Sequence, residues 1–207
     1  MTSSRSYAEF FLTEDEAVLA ARGRAAELDC VPIGSGGGAA LRFLAATINA
    51  RSVVEIGTGA GVSALHLLAG MAPEGILTSI DTEAVHQRAA KKAFAEAGIS
   101  PGRTRLINGR ALDVLPRLTD AAYDLVFIDA AKLEYGNYVT EALRLLRPGG
   151  ILALDNALYH DRVADPTQRD EATVAIREAG RTIREDENLV PLLIPLSDGL
   201  LAAVKKG

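Results

Sequence analysis

The feature that most constrains the fold is a regular alternation of short apolar runs with longer amphipathic runs. The apolar runs are rich in β-branched residues and are bounded by Gly, Pro or polar residues, as is typical of strands. They cover residues 52–56, 75–81, 104–108, 123–129 and 150–155. The amphipathic runs between them predict helices over residues 63–71, 82–97, 111–118 and 134–146. Repeated strand–helix–strand units predict an α/β fold with a mostly parallel sheet.

The two ends of the chain add elements to this core. Thr13-Glu14-Asp15-Glu16 has the capping-box pattern and opens a predicted helix to residue 28. A second helix, over residues 38–49, follows a predicted glycine loop at 34–38. A polar loop at 156–167 leads to a charged helix ending near residue 187, and two apolar runs joined through Asp198-Gly199 predict an antiparallel hairpin.

Length and spacing together predict one domain of 207 residues with no composition break. We expect residues 1–50 to form N-terminal helices and a lid, and residues 51–207 to form a cofactor- and metal-binding α/β core. The strand order of such a core is expected to be doubly wound and Rossmann-like, with the hairpin added at its C-terminal edge.

Composition limits the partners and the compartment. A formal net charge of -5 argues against nucleic acid, which requires clustered Lys and Arg side chains. The single cysteine, Cys30, allows no internal disulfide and suits a reducing compartment, and its apolar neighbours favour a small buried or half-buried side chain over a nucleophile. No apolar run reaches the roughly 20 residues that span a bilayer, and the first residues lack the apolar core of a signal peptide. A cytoplasmic protein without a membrane partner is expected.

The motif that indicates a ligand is the glycine loop after the first strand. Gly57, Gly59 and Gly61 follow residues 53–56, and Asp81 ends the next strand, where a carboxylate can accept hydrogen bonds from a ribose diol. The spacing departs from the dinucleotide pattern, because the third glycine would have to stand at Val62. Glu55 disfavours a pyrophosphate but suits a ligand that carries an amino group and a sulfonium. A purely structural turn remains the alternative.

Three oxygen donors follow the fourth and fifth strands: Asp129, Asp155 and Asn156. The carboxyl ends of parallel strands meet at one edge of a sheet, where α/β proteins assemble their sites. Two carboxylates and an amide oxygen suit Mg²⁺. The alternative is that these residues only cap turns or helices.

These motifs resemble those of the class I S-adenosylmethionine-dependent methyltransferases, specifically the catechol and caffeoyl-CoA O-methyltransferase family. The resemblance covers about residues 25–205 and is carried by the glycine loop, by Phe127-Ile128-Asp129-Ala130-Ala131-Lys132, by Leu154-Asp155-Asn156 and by the closing hairpin. Ala131 stands where the family commonly has a further Asp, and the glycine run at 34–38 departs from the family's usual segment. A more flexible lid over the cofactor is expected there.

The resemblance implies a set of cofactor contacts. Glu55, Gly57, Thr58 and Ser63 would contact the methionine portion of S-adenosylmethionine, Asp81 its ribose and the backbone of Ala111 its adenine. Ile33 would supply an apolar contact. Gly59 and Asp129 belong to the same predicted cofactor site.

The resemblance also implies the chemistry. Asp129, Asp155 and Asn156 would bind a divalent metal, expected to be Mg²⁺, and Lys132 would take the proton from the acceptor hydroxyl. A bound cation stabilises a phenolate, and its charge also disfavours the protonated form of a nearby lysine. The implied reaction is methyl transfer to a small hydroxylated aromatic by a homodimeric enzyme. Metal-independent methyl transfer and a non-catalytic nucleoside-binding module remain open alternatives.

Overall fold

A computed structural model describes residues 3–207 of the chain. Within this range the longer helices alternate with strands, and single 3-10 turns stand at Pro101–Arg103, Leu115–Arg117 and Lys132–Glu134. The α-helices are α1 Ser3–Glu9, α2 Glu16–Glu27, α3 Ser35–Thr47, α4 Val62–Gly70, α5 Ala84–Glu96, α6 Ala111–Val114, α7 Tyr135–Leu145 and α8 Glu171–Glu185. Among these helices, none combines the length and hydropathy that a bilayer crossing requires.

The strands form one seven-stranded sheet in the order β3-β2-β1-β4-β5-β7-β6. They are β1 Ser52–Ile56, β2 Ile76–Asp81, β3 Thr104–Asn108, β4 Tyr123–Ile128, β5 Leu146–Leu154, β6 Leu189–Ile194 and β7 Leu200–Lys205. The first five strands are parallel, whereas β7 pairs antiparallel with both β5 and β6. The order reverses between β1 and β4, which is where open α/β sheets form ligand crevices. The predicted α/β fold with its antiparallel C-terminal hairpin is confirmed.

Helices cover both faces of the sheet, and each face has its own apolar core. Successive side chains along a strand point to opposite faces, so Val53 and Leu125 join the core under α2 to α5, whereas Val54 and Val126 join the core under α6 to α8. This double burial explains why the central strands are almost continuously apolar. It also fixes the loops at the carboxyl ends of β1, β2, β4 and β5 on a rigid base.

The prediction of a glycine loop at 34–38 is wrong. Helix α3 begins at Ser35, and Gly36, Gly37 and Gly38 are buried in its first turn. A Cβ atom would lie 2.7 Å from a Glu9 carboxylate oxygen at position 36 and 2.4 Å from the His66 ring at position 38. Close packing therefore requires the glycines, and the run is a packed helix turn instead of the expected flexible lid.

Helix α1 does not appear in the sequence interpretation, and its buried Glu9 side chain, together with Arg5, attaches it to the rest of the molecule. The Glu9 carboxylate accepts hydrogen bonds from the backbone N–H of Gly36 at 2.9 Å and of Ser197 at 2.7 Å. The Ser197 hydroxyl in turn accepts the N–H of Gly34 at 2.8 Å. A single side chain on α1 thus joins the start of α3 to the hairpin turn.

Candidate active site

The glycine loop after β1 lies directly against the loop after β4. Gly57 has φ +99°, a left-handed conformation that glycine adopts without strain. A Cβ atom at this position would lie 1.9 Å from the backbone oxygen of Asp129. Gly61, with φ +92°, similarly approaches the backbone of Ala90 on α5. The glycines therefore allow three segments to converge at the carboxyl ends of β1 and β4.

Asp81, at the end of β2, fixes the shape of this loop. Its Oδ2 atom accepts the N–H of Thr58 at 3.1 Å and of Gly59 at 3.0 Å, and its Oδ1 atom accepts the N–H of Glu83 at 2.8 Å. The Nδ1 atom of His86 lies 3.4 Å from Oδ2. The carboxylate that is predicted to bind a ribose diol also holds the glycine loop in place.

A cavity of about 390 Å³ opens above these loops. It brings together most of the residues predicted to bind a cofactor: Ile33, Gly57, Gly59, Ser63, Asp81, Ala111 and Asp129. We call it the cofactor cavity. Cys30 also lines it and is half-buried, as predicted, and burial raises the pKa of its thiol. The assignment of these residues to a cofactor stays a prediction.

Glu55 and Thr58 lie behind the wall of the cofactor cavity. Glu55 is fully buried and accepts hydrogen bonds from the hydroxyls of Ser63 at 2.6 Å and Ser79 at 2.5 Å. The Oγ atoms of Thr58 and Ser79 are 2.7 Å apart. Burial raises the pKa of Glu55 to about 8, against the lowering effect of the two serine hydroxyls. The predicted contact of Glu55 with a cofactor would therefore have to pass through Ser63 or require a rearrangement, and the predicted contact of the Thr58 side chain would also require one.

Lys132 links the loop after β4 to the loop after β5, the two loops that carry the predicted metal ligands. Its Nζ atom donates to Asp129 Oδ1 at 2.9 Å, to Asn156 Oδ1 at 2.5 Å and to the Tyr135 hydroxyl at 2.7 Å. Asn156 adopts a left-handed conformation with φ +58°. Three side chains that sequence reasoning assigned to one reaction centre are thus brought into direct contact.

Asp155, the remaining predicted metal ligand, is the buried member of this group. It is 2% exposed, and within residues 3–207 its Oδ1 atom has no hydrogen-bond partner. Burial, together with the negative charge of Asp129, raises the pKa of Asp155 to about 8. A buried carboxylate oxygen without a partner is costly unless a cation or a proton satisfies it.

We call Asp129, Lys132, Asp155 and Asn156 the candidate metal cluster, and its oxygen donors fit a bound cation. Two oxygens, from Asp129 and Asn156, already converge on the positive charge of Lys132, and Asp155 has one oxygen free. This donor set of two carboxylates and an amide suits a hard divalent cation. Across residues 3–207, no cluster of three or more His, Cys, Asp and Glu side chains is arranged to hold a metal, so the amide is needed to complete the set.

Sequence reasoning missed a second group on the cavity wall. Arg110, Glu134 and Tyr138 all line it, with Arg110 Nη2 at 3.0 Å from Glu134 Oε1 and the Tyr138 hydroxyl donating to Glu134 Oε2. The Tyr138 hydroxyl, aided by Arg110, holds the pKa of Glu134 below its ordinary value. In the helix predicted over residues 134–146, the four-residue spacing of Glu134 and Tyr138 places both on one face. The sequence does not reveal that this face borders a cavity.

A larger cavity of about 740 Å³ adjoins the first. Most of its lining residues are of polar type, and they come from α1, α2, the segment leading into α3, the hairpin turn and the loop after β5: Arg5, Glu9, Phe10, Arg22, Pro32, Gly34, Ser35, His160, Asp161, Ser197 and Asp198. Pro32 lines both cavities. Pro32 is therefore a shared wall residue, and Arg22 fixes its neighbour Ile33 by donating to the backbone oxygen of Ile33 at 2.8 Å.

Comparison with known sequences gives a consistent result over the whole length. The family model described as O-methyltransferase matches residues 4–206. A protein of Mycolicibacterium vanbaalenii that is provisionally named an O-methyltransferase is 54% identical over 200 residues, which cover 97% of this chain and 88% of that protein.

Solved structures agree with this match. A protein of Corynebacterium glutamicum has a TM-score of 0.91 and 38% identity, with 99% of this chain and 96% of that chain covered. The O-methyltransferase TomG of Streptomyces achromogenes, which is involved in tomaymycin synthesis, was solved in complex with S-adenosylmethionine. It has a TM-score of 0.88 and 31% identity, and the match covers 99% of this chain and 96% of that chain.

Proposed function

Because this chain belongs to the O-methyltransferase family, we propose that it transfers a methyl group from S-adenosylmethionine to a hydroxyl of a small, catechol-like aromatic, with a divalent cation holding the acceptor and Lys132 accepting its proton. The observation that carries this proposal is the double role of Asp129. It lines the cofactor cavity, and its carboxylate also contacts Lys132 in the candidate metal cluster. The methyl donor in the cofactor cavity and the methyl acceptor held by the cation would therefore both lie next to Asp129.

The complex of TomG with S-adenosylmethionine supports the choice of cofactor. When bound, this cofactor supplies an activated methyl group on a sulfonium. The chain would hold it between Ile33 and the glycine loop, with Asp81 at the ribose and the backbone of Ala111 at the adenine. Because the Ser63 hydroxyl donates its proton to the buried Glu55, its oxygen would meet the cofactor as a hydrogen-bond acceptor, as the amino group of S-adenosylmethionine requires.

Asp129, Asp155 and Asn156 would hold the divalent cation, expected to be Mg²⁺. A cation there supplies positive charge that stabilises the deprotonated acceptor oxygen. The three residues stand on loops that extend from β4 and β5, so their separation is set by the paired strands and not by a flexible segment. Fixed positions of this kind favour catalysis because they align the reactants before the reaction begins.

Lys132 would accept the proton of the acceptor hydroxyl at Nζ. In the structure its ammonium group donates to three oxygens, so it must give up a contact with Asp129 or Asn156 before it can act as a base. The Tyr135 hydroxyl, which also donates to the backbone oxygen of Asp155 at 3.2 Å, can keep Nζ near the reaction centre during that change.

One observation favours a second candidate, metal-independent methyl transfer. The Lys132 ammonium lies between Asp129 and Asn156, where it can supply the positive charge that a metal would otherwise provide. In that mechanism the Lys132 ammonium group stabilises the oxygen of an acceptor that has already lost its proton to solvent, and Asp129 serves only the cofactor. The alternative of a non-catalytic nucleoside-binding module has no specific observation in its favour.

The test is methyl transfer from radiolabelled S-adenosylmethionine to a panel of catechols, with Mg²⁺ and with EDTA. Wild type is compared with Asp155→Asn and with Asp113→Asn, an exposed carboxylate outside both cavities. The proposal predicts labelling that EDTA abolishes and that only Asp155→Asn loses. Labelling that resists EDTA would favour the metal-independent candidate, and a protein that binds cofactor but labels none of the panel would contradict the catechol acceptor.

We also propose that the enzyme is a cytoplasmic homodimer that uses the N-terminal helices and the hairpin as its interface. Large apolar side chains stand exposed on both: Tyr7 is 71% exposed, Phe10 is 66% exposed and Leu192, on the edge strand β6, is 61% exposed. Contiguous exposed apolar groups are characteristic of association surfaces. Sedimentation equilibrium should give twice the chain mass, and Phe10→Ser with Leu192→Ser should shift the equilibrium toward the monomer.

A further inference from the structure

The hairpin turn between β6 and β7 carries a carboxylate that contacts the candidate metal cluster. Asp198 Oδ2 accepts a hydrogen bond from the side-chain Nδ2 of Asn156 at 3.3 Å, and Asp198 Oδ1 accepts the backbone N–H of His160 at 2.7 Å. The turn is fixed in place because the N–H groups of Ala157 and Leu158 donate to the backbone oxygens of Gly199 and Asp198 at 2.8 and 2.9 Å. The carboxylate is therefore held firmly beside the amide.

The side chain of Asn156 has two chemically different ends. Its Oδ1 atom faces Lys132 Nζ, and its Nδ2 atom faces Asp198. An ionised carboxylate can only accept hydrogen bonds, whereas an ammonium group can only donate them. If the amide were reversed, its oxygen would meet a carboxylate and its NH₂ group would meet an ammonium group. Both contacts would be repulsive, so the two charged neighbours select one orientation.

We propose that Asp198 is a positioning residue that keeps the amide oxygen of Asn156 turned toward the cation site. The inference rests on the proposed function, because it identifies that cation with the divalent metal. Side chains that ligate metals are commonly oriented by a carboxylate in the next shell, and the loss of such a partner typically weakens metal affinity by about 10–100-fold. Asp198 does not line the cofactor cavity, so the affinity for S-adenosylmethionine should be independent of it.

The first test is the isosteric variant Asp198→Asn. Its new amide can still accept the N–H of His160, but it then presents an NH₂ group to Asn156 and favours the reversed amide. We expect the dissociation constant for Mn²⁺, measured by titration calorimetry, to rise about 10–100-fold. The affinity for S-adenosylmethionine and the melting temperature should change little, as in the control Asp113→Asn.

The second test exchanges the amide of Asn156 with the carboxylate of Asp198. In the double variant Asn156→Asp with Asp198→Asn, a carboxylate at position 156 faces the cation site. The amide at position 198 donates a hydrogen bond to that carboxylate from the hairpin turn. We expect Mn²⁺ affinity to return to within a few-fold of wild type and to exceed that of Asn156→Asp alone, in which the carboxylates at 156 and 198 repel each other. The added ligand charge by itself does not produce the second result.

The outcomes separate the two proposals. If wild type does not bind Mn²⁺, the metal site fails and the inference fails with it. If wild type binds Mn²⁺ but Asp198→Asn binds it equally well, or the exchanged pair binds it no better than Asp198→Asn, the metal site stands and the positioning role is overturned.

Discussion

The backbone oxygen of Asp129 lies 1.9 Å from the point where a Cβ atom would stand on Gly57. This contact joins the loop that forms the cofactor cavity to the loop that carries a candidate metal ligand and Lys132. No side chain fits between the two backbones. The close approach of these two loops therefore depends on the absence of a Cβ atom at position 57.

Gly57→Ala should destabilise the protein by roughly 2–5 kcal/mol, because overpacking costs about 1–3 kcal/mol and a left-handed conformation about 1–2 kcal/mol more. Gly98→Ala is the matched control, since Gly98 has φ +68° but no neighbouring atom within 4 Å of its Cβ position. It should show only the smaller, conformational part of the cost. Urea unfolding of both variants gives the comparison, and equal losses would contradict the packing argument.

Lys132→Met should lower kcat about 10²–10⁴-fold, the usual contribution of a general base, while leaving the affinity for S-adenosylmethionine within about twofold. Lys132→Arg should also be inactive, because a guanidinium retains its charge and cannot accept the proton at neutral pH. The exposed Lys91→Met serves as the control. Single-turnover methyl transfer measures the effect, and a fully active Lys132→Arg would remove the base from the mechanism.

Glu55→Gln should change how stability depends on pH. Burial raises the pKa of Glu55 from the ordinary 4.5 to about 8, so the folded state holds a proton that the unfolded state releases. The stabilisation is complete below pH 4.5 and is lost as the pH rises toward 8. The wild type should therefore lose stability relative to Glu55→Gln across this interval. Free energies of unfolding measured at several pH values test this, and parallel curves for the two proteins would refute it.

Glu9→Ala should release α1 from the hairpin turn. The carboxylate satisfies two backbone N–H groups, and hydrogen bonds to charged groups contribute about 1.5–3 kcal/mol each, so a loss of about 3–6 kcal/mol is expected overall. Hydrogen exchange should quicken at Gly36 and Ser197 and stay unchanged in the central strands. Glu27→Ala, an exposed position on α2, is the control. Unchanged protection at both amides would show that α1 is held by other contacts.

The core strands were predictable because their signals are local. The bounds of β1 and β3 match the sequence interpretation residue for residue, since polar or turn-forming neighbours mark each end. The cavity residues Gly57, Asp81 and Asp129 were also found in advance, because they directly follow or end strands of the parallel sheet. The topology then places all three at one edge.

What the sequence did not show depends on contacts between distant segments. Gly36, Gly37 and Gly38 resemble a loop in isolation, and only packing against Glu9 and His66 makes them a helix turn. Helix α1 is short and polar, with no apolar stripe to mark it. Asp198 was interpreted only as part of a turn, because its contact with Asn156 spans 42 residues.

Pro32 gives the two cavities a common boundary, and a common boundary has a thermodynamic consequence. A ligand in one cavity that shifts Pro32 changes the shape of the other cavity. By linkage, the factor by which such a ligand alters the affinity of a second one must be the same in both directions. For ligands of this kind, a dissociation constant measured at one cavity has meaning only when the occupancy of the other cavity is specified.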